Sequence, residues 1–370
     1  MTRIAKRKSR YLESTGIMTA LLCTAVMSST VTAEPSATGE ESTQELPAFE
    51  VIGSKEAAFR ATGSGYFLET DEIVRFRYDD INQVLRRVPG VYIREEDGYG
   101  LFPNISLRGV DAGRSAKVTL MEDGVLMAPA PYSAPSAYYS PTAGRMAAIE
   151  VLKGSSQIRY GPHTTGGAIN YISTPIPQAR LGYLEASYGT DSDWIGHAYH
   201  GDRVTRGERT FGYNLEVMHR ENDGFKTIQP ASGGGYDGSG ETGFTRTDYT
   251  LKLLASPSAD HQFEAKIGYS DMEANETYLG LTTEDFARHA TERYAASRFD
   301  NIATYHFRSY LQHTWRLSPE ASIETKAYYN RFHRNWYKLD KVNGRSLSSA
   351  LFVSDPAYPV LTGGAAGELK

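Results

Sequence analysis

Residues 262–270, QFEAKIGYS, alternate: Phe263, Ala265, Ile267 and Tyr269 fall on one face, Gln262, Glu264, Lys266 and Ser270 on the other. A period of two puts successive side chains on opposite faces of a strand, so this run is an amphipathic strand and not a helix. The pattern recurs at 247–255 (Tyr249, Leu251, Leu253 against Asp248, Thr250, Lys252), at 211–217 (Phe211, Tyr213, Leu215, Val217) and at 323–329 (Ile323, Ala327, Tyr329). Weaker members lie at 181–188, 194–201 and 305–317, which makes seven strands. Their connections alternate too. Residues 204–209, 256–260 and 318–321 are short turns, whereas 221–245, 272–303 and everything after 334 are long and polar; only 189–193 is short where a long one is due. Long loops gathered at one end of a sheet are what a bacterial outer-membrane barrel has, and a soluble sandwich has no reason to keep them so.

Composition agrees without deciding. Tyrosine stands at 25 copies against 14 phenylalanines and 3 tryptophans, beside 35 glycines. With a mean hydropathy of −0.44, this excludes a helical membrane protein, while a soluble all-β protein fits as well as a barrel with aromatic girdles. The formal charge of −5 makes no case for nucleic acid. The first 33 residues read as a secretion signal: a basic start (Arg3, Lys6, Arg7, Lys8, Arg10), an apolar-to-small run from Ile17 to Val31, and small residues placing cleavage after Ala33. The one cysteine, Cys23, lies inside that segment with Leu22 before it, so a lipoprotein is not expected and the mature chain has no cysteine.

Residues 34–65 read as a flexible leader, polar at 34–45 and carrying one strand-prone patch, LPAFEVIG, at 46–53. Such a patch is marginal alone but can add to the edge of another protein's sheet. From 66 to 178 the pattern is mixed α/β. Thr70-Asp71-Glu72-Ile73 starts one helix, and 78–88 forms another with Ile81, Val84, Leu85 and Val88 on one face, capped by Asp79 or Asp80 and stopped by Pro89-Gly90. Short strands follow at 91–95, 105–109, 117–125, 147–154 and 166–173. About 110 residues suffice for one modest core. The expected architecture is thus a mixed α/β domain followed by an antiparallel transmembrane β-barrel. Seven strands cannot close around such a domain, which needs about 22. With the sequence stopping in a glycine-rich loop at 363–370, the chain is expected to be the first part of a longer protein.

The ordered runs LRRVPGVYIRE (85–95), NISLRG (104–109), LMEDGV (120–125) and IEVLKGSSQIRYGPHTTGGAINYIS (149–173) resemble the plug of a TonB-dependent outer-membrane receptor. APAPYSAPSAYYSP (128–141) with RYGPHTTGGAIN is most similar to the iron(III) dicitrate group of that family. The resemblance is close over 46–178 and beyond that lies only in strand pattern. It implies a receptor in a Gram-negative outer membrane, monomeric at full length, in contact with outer-membrane lipid and lipopolysaccharide, and powered by the periplasmic protein TonB. Leu46, Phe49, Glu50, Val51 and Ile52 would form the TonB box. The implied cargo is a ferric chelate, ferric citrate or a carboxylate siderophore; the alternatives are a receptor for cobalamin, a nickel chelate or an oligosaccharide, or a non-functional truncated fragment; no resident cofactor is implied. The 12 residues between Ala33 and Leu46 leave no room for a periplasmic signalling domain.

Two plug loops, 94–104 and 127–141, would meet the ligand. Arg94, Arg114, Tyr132, Tyr138 and Tyr139 are the candidates, since arginines suit an anionic complex and tyrosines offer rings and hydroxyls. Glu95, Glu96 and Asp97 depart from that logic and point to a cationic or metal-rich ligand or to a loop turned to solvent. In the family, basic groups at the positions of Arg108 and Lys153 face a pair of barrel carboxylates and lock the plug; lysine at the second position weakens a bidentate pairing. The histidines lack metal-ligand spacing, and no nucleophile elbow or phosphate loop is present, so no enzyme is implied. A porin or adhesin would need neither the α/β domain nor the leader patch.

Overall fold

The computed structural model describes residues 53–342, apart from 61–62, 77, 79, 128–135, 155–159, 161–164, 230–239, 276–278 and 320; beyond 342 it describes only 345–346, 352–353 and 360–361. The secretion signal and residues 46–52 of the leader patch lie outside the described residues.

The α/β part builds one sheet with helices against it. Helix α1 (Lys55–Arg60) leads into strand β1 (Ser64–Leu68), both starting within the stretch that reads as leader. Helix α2 (Thr70–Val74) opens on a capping box between Glu69 and Glu72, and helix α3 (Ile81–Leu85) is capped by Asp80, whose carboxylate accepts from the Asn82 N–H at 2.7 Å. The periodicity of 78–88 is realised in packing: Ile81, Val84, Leu85 and Val88 are all core residues, although only 81–85 is regular helix. Strands β2 (Val91–Ile93) and β3 (Ile105–Leu107) form a small antiparallel pair. The main sheet then runs β1-β6-β7-β4-β5, with β4 (Val118–Glu122), β5 (Val125–Leu126), β6 (Met146–Lys153) and β7 (Gly167–Ser173), and only β4 and β7 are parallel. Asp123 and Gly124 link β4 to β5 with φ of 51° and 75°. Two positive φ values make a type I′ turn, which matches strand twist and explains the Asp-Gly pair.

After Ile176 the chain becomes a meander of seven antiparallel strands, each paired to the next. They are β8 (Leu181–Tyr188), β9 (Trp194–Arg206), β10 (Arg209–Asn222), β12 (Phe244–Ser258), β13 (His261–Ala274), β15 (Asn301–Ser318) and β16 (Ala321–Tyr337). The number, order and inward/outward alternation agree with the sequence, and most strands run longer than their apolar alternation. Two short strands, β11 (Thr227–Ile228) and β14 (Glu292–Arg293), pair between the long connections, and helix α4 (Thr283–Arg288) lies in the second of these.

Burial settles what the sheet faces. Phe211, Leu215, Leu253, Ile267 and Leu311 are exposed, whereas Asn214, Glu216, Thr250, Lys252 and Lys266 of the opposite face are buried. Hiding the polar face and presenting the apolar one inverts a soluble sandwich and suits a sheet with lipid outside and a packed domain within.

Candidate functional site: the outer cluster and the plug–barrel seam

Short turns mark the periplasmic end of such a sheet and long connections its outer end. At the outer end, three segments of the α/β domain meet β16. The Arg114 guanidinium lies 4.8 Å from the Phe102 ring centre, 5.3 Å from Tyr138 and 5.6 Å from Trp336, with the Glu96 carboxylate at 2.5 Å. Arg334 stacks on Tyr138 at 3.8 Å, and the Lys338 ammonium sits 4.7 Å from the Trp336 ring. Three cations, three rings and one carboxylate thus share one patch. Each cation–ring contact contributes on the order of 0.5–2 kcal/mol, depending on how dry it is.

Local chemistry fixes this arrangement. Arg114 adopts a left-handed φ of 48° and its N–H donates to Asn104 Oδ1 at 2.9 Å, while Asn104 Nδ2 donates to Glu96. The Asp97 carboxylate accepts from the backbone N–H groups of Tyr99, Gly100, Leu101 and Phe102, at 2.7–3.1 Å. Burial pushes its pKa up, and these four donors pull against that. Glu95 lies 2.8 Å from Arg86. Asp97 thus caps its own loop, while Glu95 and Glu96 each pair with a guanidinium of another segment, an option that the sequence had not offered. The external connection docks on the same loop: Lys226 Nζ donates to the Asp97 carbonyl at 2.8 Å, and Phe225 N–H to the Tyr99 hydroxyl at 2.7 Å.

Of the candidate ligand residues, Arg114 and Tyr138 come together in this patch. Arg94 is exposed and stands outside it, its N–H donating to the Asn104 carbonyl. Tyr132 lies outside the described residues. Tyr139 turns the other way, inward and buried: its hydroxyl accepts from Arg145 at 2.8 Å and donates to Glu122 at 3.2 Å. Burial pushes its phenol up to about 12.

Tyr139 leads to a charged seam between domain and sheet. Fully buried Arg145 donates to both Glu122 oxygens, at 2.9 and 3.3 Å, with its Nε 3.6 Å from Asp248 of β12. Lys266 of β13 donates to Glu122 at 2.8 Å and also to Asp123, which lies 3.7 Å from Lys252 of β12. Lys326 and Asn330 of β16 donate to the carbonyls of Asp123 and Leu126, each at 2.8 Å. Burial alone would raise the Glu122 carboxyl, but Arg145, Arg308 and Lys266 outweigh it and hold it well below the usual range; Lys252 and Lys266 do the same for Asp123. Sequence reading missed this seam, although its parts were visible: Glu122 and Asp123 stand in LMEDGV, and Lys252 and Lys266 on the polar faces of their strands.

Arg108 and Lys153 are neighbours at the far side of the domain. Arg108 takes φ 55° with its N–H bonded to the Gly90 carbonyl, and Lys153 Nζ donates to the Pro89 carbonyl at 2.6 Å. Burial first, then the Arg108 charge, lower the Lys153 pKa. Among the described residues neither has a carboxylate partner. Of the leader patch only Gly53 is described, and its N–H donates to Glu150 Oε1 at 3.1 Å. Asn170 Nδ2 donates to the other Glu150 oxygen at 2.8 Å, and Asn170 Oδ1 accepts from Gly124 N–H at 2.9 Å. This chain of hydrogen bonds runs from the leader to the turn that carries Asp123.

A small α/β domain held by buried ion pairs against the polar face of an amphipathic antiparallel sheet defines a plugged outer-membrane barrel. Residues 57–168 match the family model described as TonB-dependent Receptor Plug Domain. The chain is 24% identical over 258 residues to the vitamin B12 transporter BtuB of Photobacterium profundum, covering 63% of this chain and 42% of that protein. Its fold is similar to the unliganded ferric citrate transporter FecA (TM-score 0.65, 20% identity, 78% of this chain, 43% of that one). It is also similar to the ferric yersiniabactin uptake receptor FyuA of Yersinia pestis (TM-score 0.60, 18% identity, 75% and 42%). The plug-domain match and these likenesses support a TonB-dependent outer-membrane receptor, of a family made up of receptors and transporters rather than enzymes, and the chain spans less than half the length of these relatives.

Proposed function

We propose that the receptor carrying this chain binds an anionic ferric chelate at its outer face, ferric citrate or a related carboxylate siderophore, and imports it with energy delivered by TonB. The outer cluster carries this reading. Arg114 and Arg334 set two guanidiniums, with the Lys338 ammonium nearby, in one patch beside the Glu96 carboxylate. Guanidiniums held in place by rings are strong, geometrically defined donors to carboxylate oxygens. Arg114, Tyr138 and Arg334 make the first contacts. Likeness of fold to a ferric citrate transporter and a ferric yersiniabactin receptor supports iron cargo. The likeness to a vitamin B12 transporter supports cobalamin as a second reading.

Coupling runs through the leader. TonB adds a strand to Leu46, Phe49, Glu50, Val51 and Ile52, and pulling reaches the plug first at Gly53, then through Glu150 and Asn170 to the Asp123 turn. Arg108 and Lys153 form a second fastening, against carboxylates of barrel wall not among the described residues. The reading is tested by uptake of radiolabelled ferric citrate and of cobalamin into a strain lacking the receptor. Ferric citrate uptake should fall to background and return with the gene. Normal ferric citrate uptake with lost cobalamin uptake would overturn the iron assignment in favour of the second reading.

A further inference from the structure

The periplasmic rim of the sheet holds a groove that neither ligand uptake nor plug seating uses. It has a volume of about 660 Å³ and lies between the turn joining β9 to β10 and the end of β12. Val204, Phe211 and Pro257 supply its apolar wall, and Arg206, Arg209 and Glu208 its charges. The strand alternation places this wall outside. Val204 pairs with Phe211 and Arg206 with Arg209 across the hairpin, in the same inward/outward phase as exposed Leu215. All five hairpin residues are exposed. Among the described residues, Arg206 and Arg209 make no ion pair.

An apolar wall topped by two arginines, at the short-turn end of a lipid-facing sheet, sits where acyl chains give way to headgroups. We propose that this groove binds one glycerophospholipid of the periplasmic leaflet. Its phosphate lies between Arg206 and Arg209, its first acyl methylenes lie along Val204, Phe211 and Pro257, and Glu208 takes the ammonium of an ethanolamine headgroup. Two guanidiniums alone would favour an anionic headgroup. The carboxylate between them in sequence shifts the preference to one carrying a hydrogen-bonding amine, because a quaternary ammonium has no N–H to give. The same end of the outward face carries a ring belt, with His261 and His313 3.0 Å apart and His261 stacked with Trp315, as expected of a headgroup-level interface.

The test is native mass spectrometry of the receptor purified from outer membranes, with phosphatidylethanolamine, phosphatidylglycerol or phosphatidylcholine of matched chains added to the detergent. One retained phosphatidylethanolamine is expected, at least about fivefold above phosphatidylcholine. Arg206→Gln with Arg209→Gln should abolish retention of all three, and Glu208→Gln should remove only the preference for ethanolamine. These residues are exposed, so the variants should keep the parent's heat-modifiable band, which checks that the barrel is intact. Equal retention by parent and double variant would overturn the site, as would competition by inorganic phosphate with no dependence on acyl chains. Preference for phosphatidylglycerol surviving in Glu208→Gln and parent alike would overturn the role of Glu208.

Discussion

Replacing Glu122 by glutamine tests whether the buried seam holds the plug. Glu122 faces Arg145 twice, Lys266 at 2.8 Å and Arg308 at 3.6 Å, and none of these groups is more than slightly exposed. Removing one partner of a buried ion pair costs about 3–5 kcal/mol, because the opposite charge is left uncompensated. Asp123 and Asp248 remain near the same cations, so the lower end applies, about 3 kcal/mol. With a urea dependence of about 1–3 kcal/mol per molar, the urea needed to unfold the plug should fall by about 1–3 M. Planar-bilayer conductance of the receptor in rising urea reads this directly, since an unfolded plug opens the lumen. Adding Lys266→Met should recover part of the loss, as expected for charges that act as a unit. A midpoint within about 0.3 M of the parent would refute the reasoning, since it lies far below the smallest shift derived from the pair energy. Acid should act in the same direction. Glu122 and Asp123 have depressed pKa values in the folded plug, so their stabilisation is complete above the ordinary carboxylate range and lost as pH falls below about 4.5.

Two further outcomes follow from single groups. Burial, then Glu95, pushes Asp80 from 3.8 up to about 7, so its penalty is absent below pH 3.8, grows up to about pH 7 and stays thereafter. Asp80→Asn keeps an acceptor for the Asn82 N–H and should raise the Tm more at pH 8 than at pH 5; an equal gain at both would contradict the assignment. Val51→Pro removes a backbone donor from the leader patch and should stop transport while surface binding persists; unchanged transport would place the coupling segment elsewhere.

Much of the fold was readable because lipid and plug impose opposite demands on the two faces of every strand. The alternation at 262–270 gave β13 its faces directly, and the long and short connections gave the meander its ends. Strand lengths were underestimated where the outer ends lose the apolar alternation, as at Arg246, because a docked plug loop rather than lipid covers it. β1 escaped notice since SGYFL has no alternation; its place depends on pairing with β6, far along the sequence. The site was half legible. Arg114 and Tyr138 could be named from residue type, but Trp336 and Arg334 complete the patch only through the register of β16, which sequence does not reveal. Tyr138 and Tyr139 looked equivalent as letters, yet the first side chain joins the outer patch and the second the seam. The partners of Glu95, Glu96 and Asp97 were not legible, because carboxylates that cap a loop or pair with guanidiniums look the same in sequence as ligand-facing ones.

We propose that the outer cluster reads negative charge on a ferric chelate. Equilibrium binding of ferric citrate and of cobalamin to the purified receptor, parent and Arg334→Gln, tests it most directly. Ferric citrate should bind and cobalamin should not, and the variant should bind ferric citrate about 10- to 100-fold more weakly, the loss of one hydrogen bond to a charged group worth about 1.5–3 kcal/mol. Cobalamin binding with no measurable ferric citrate binding would contradict it, as would an unchanged ferric citrate affinity in Arg334→Gln.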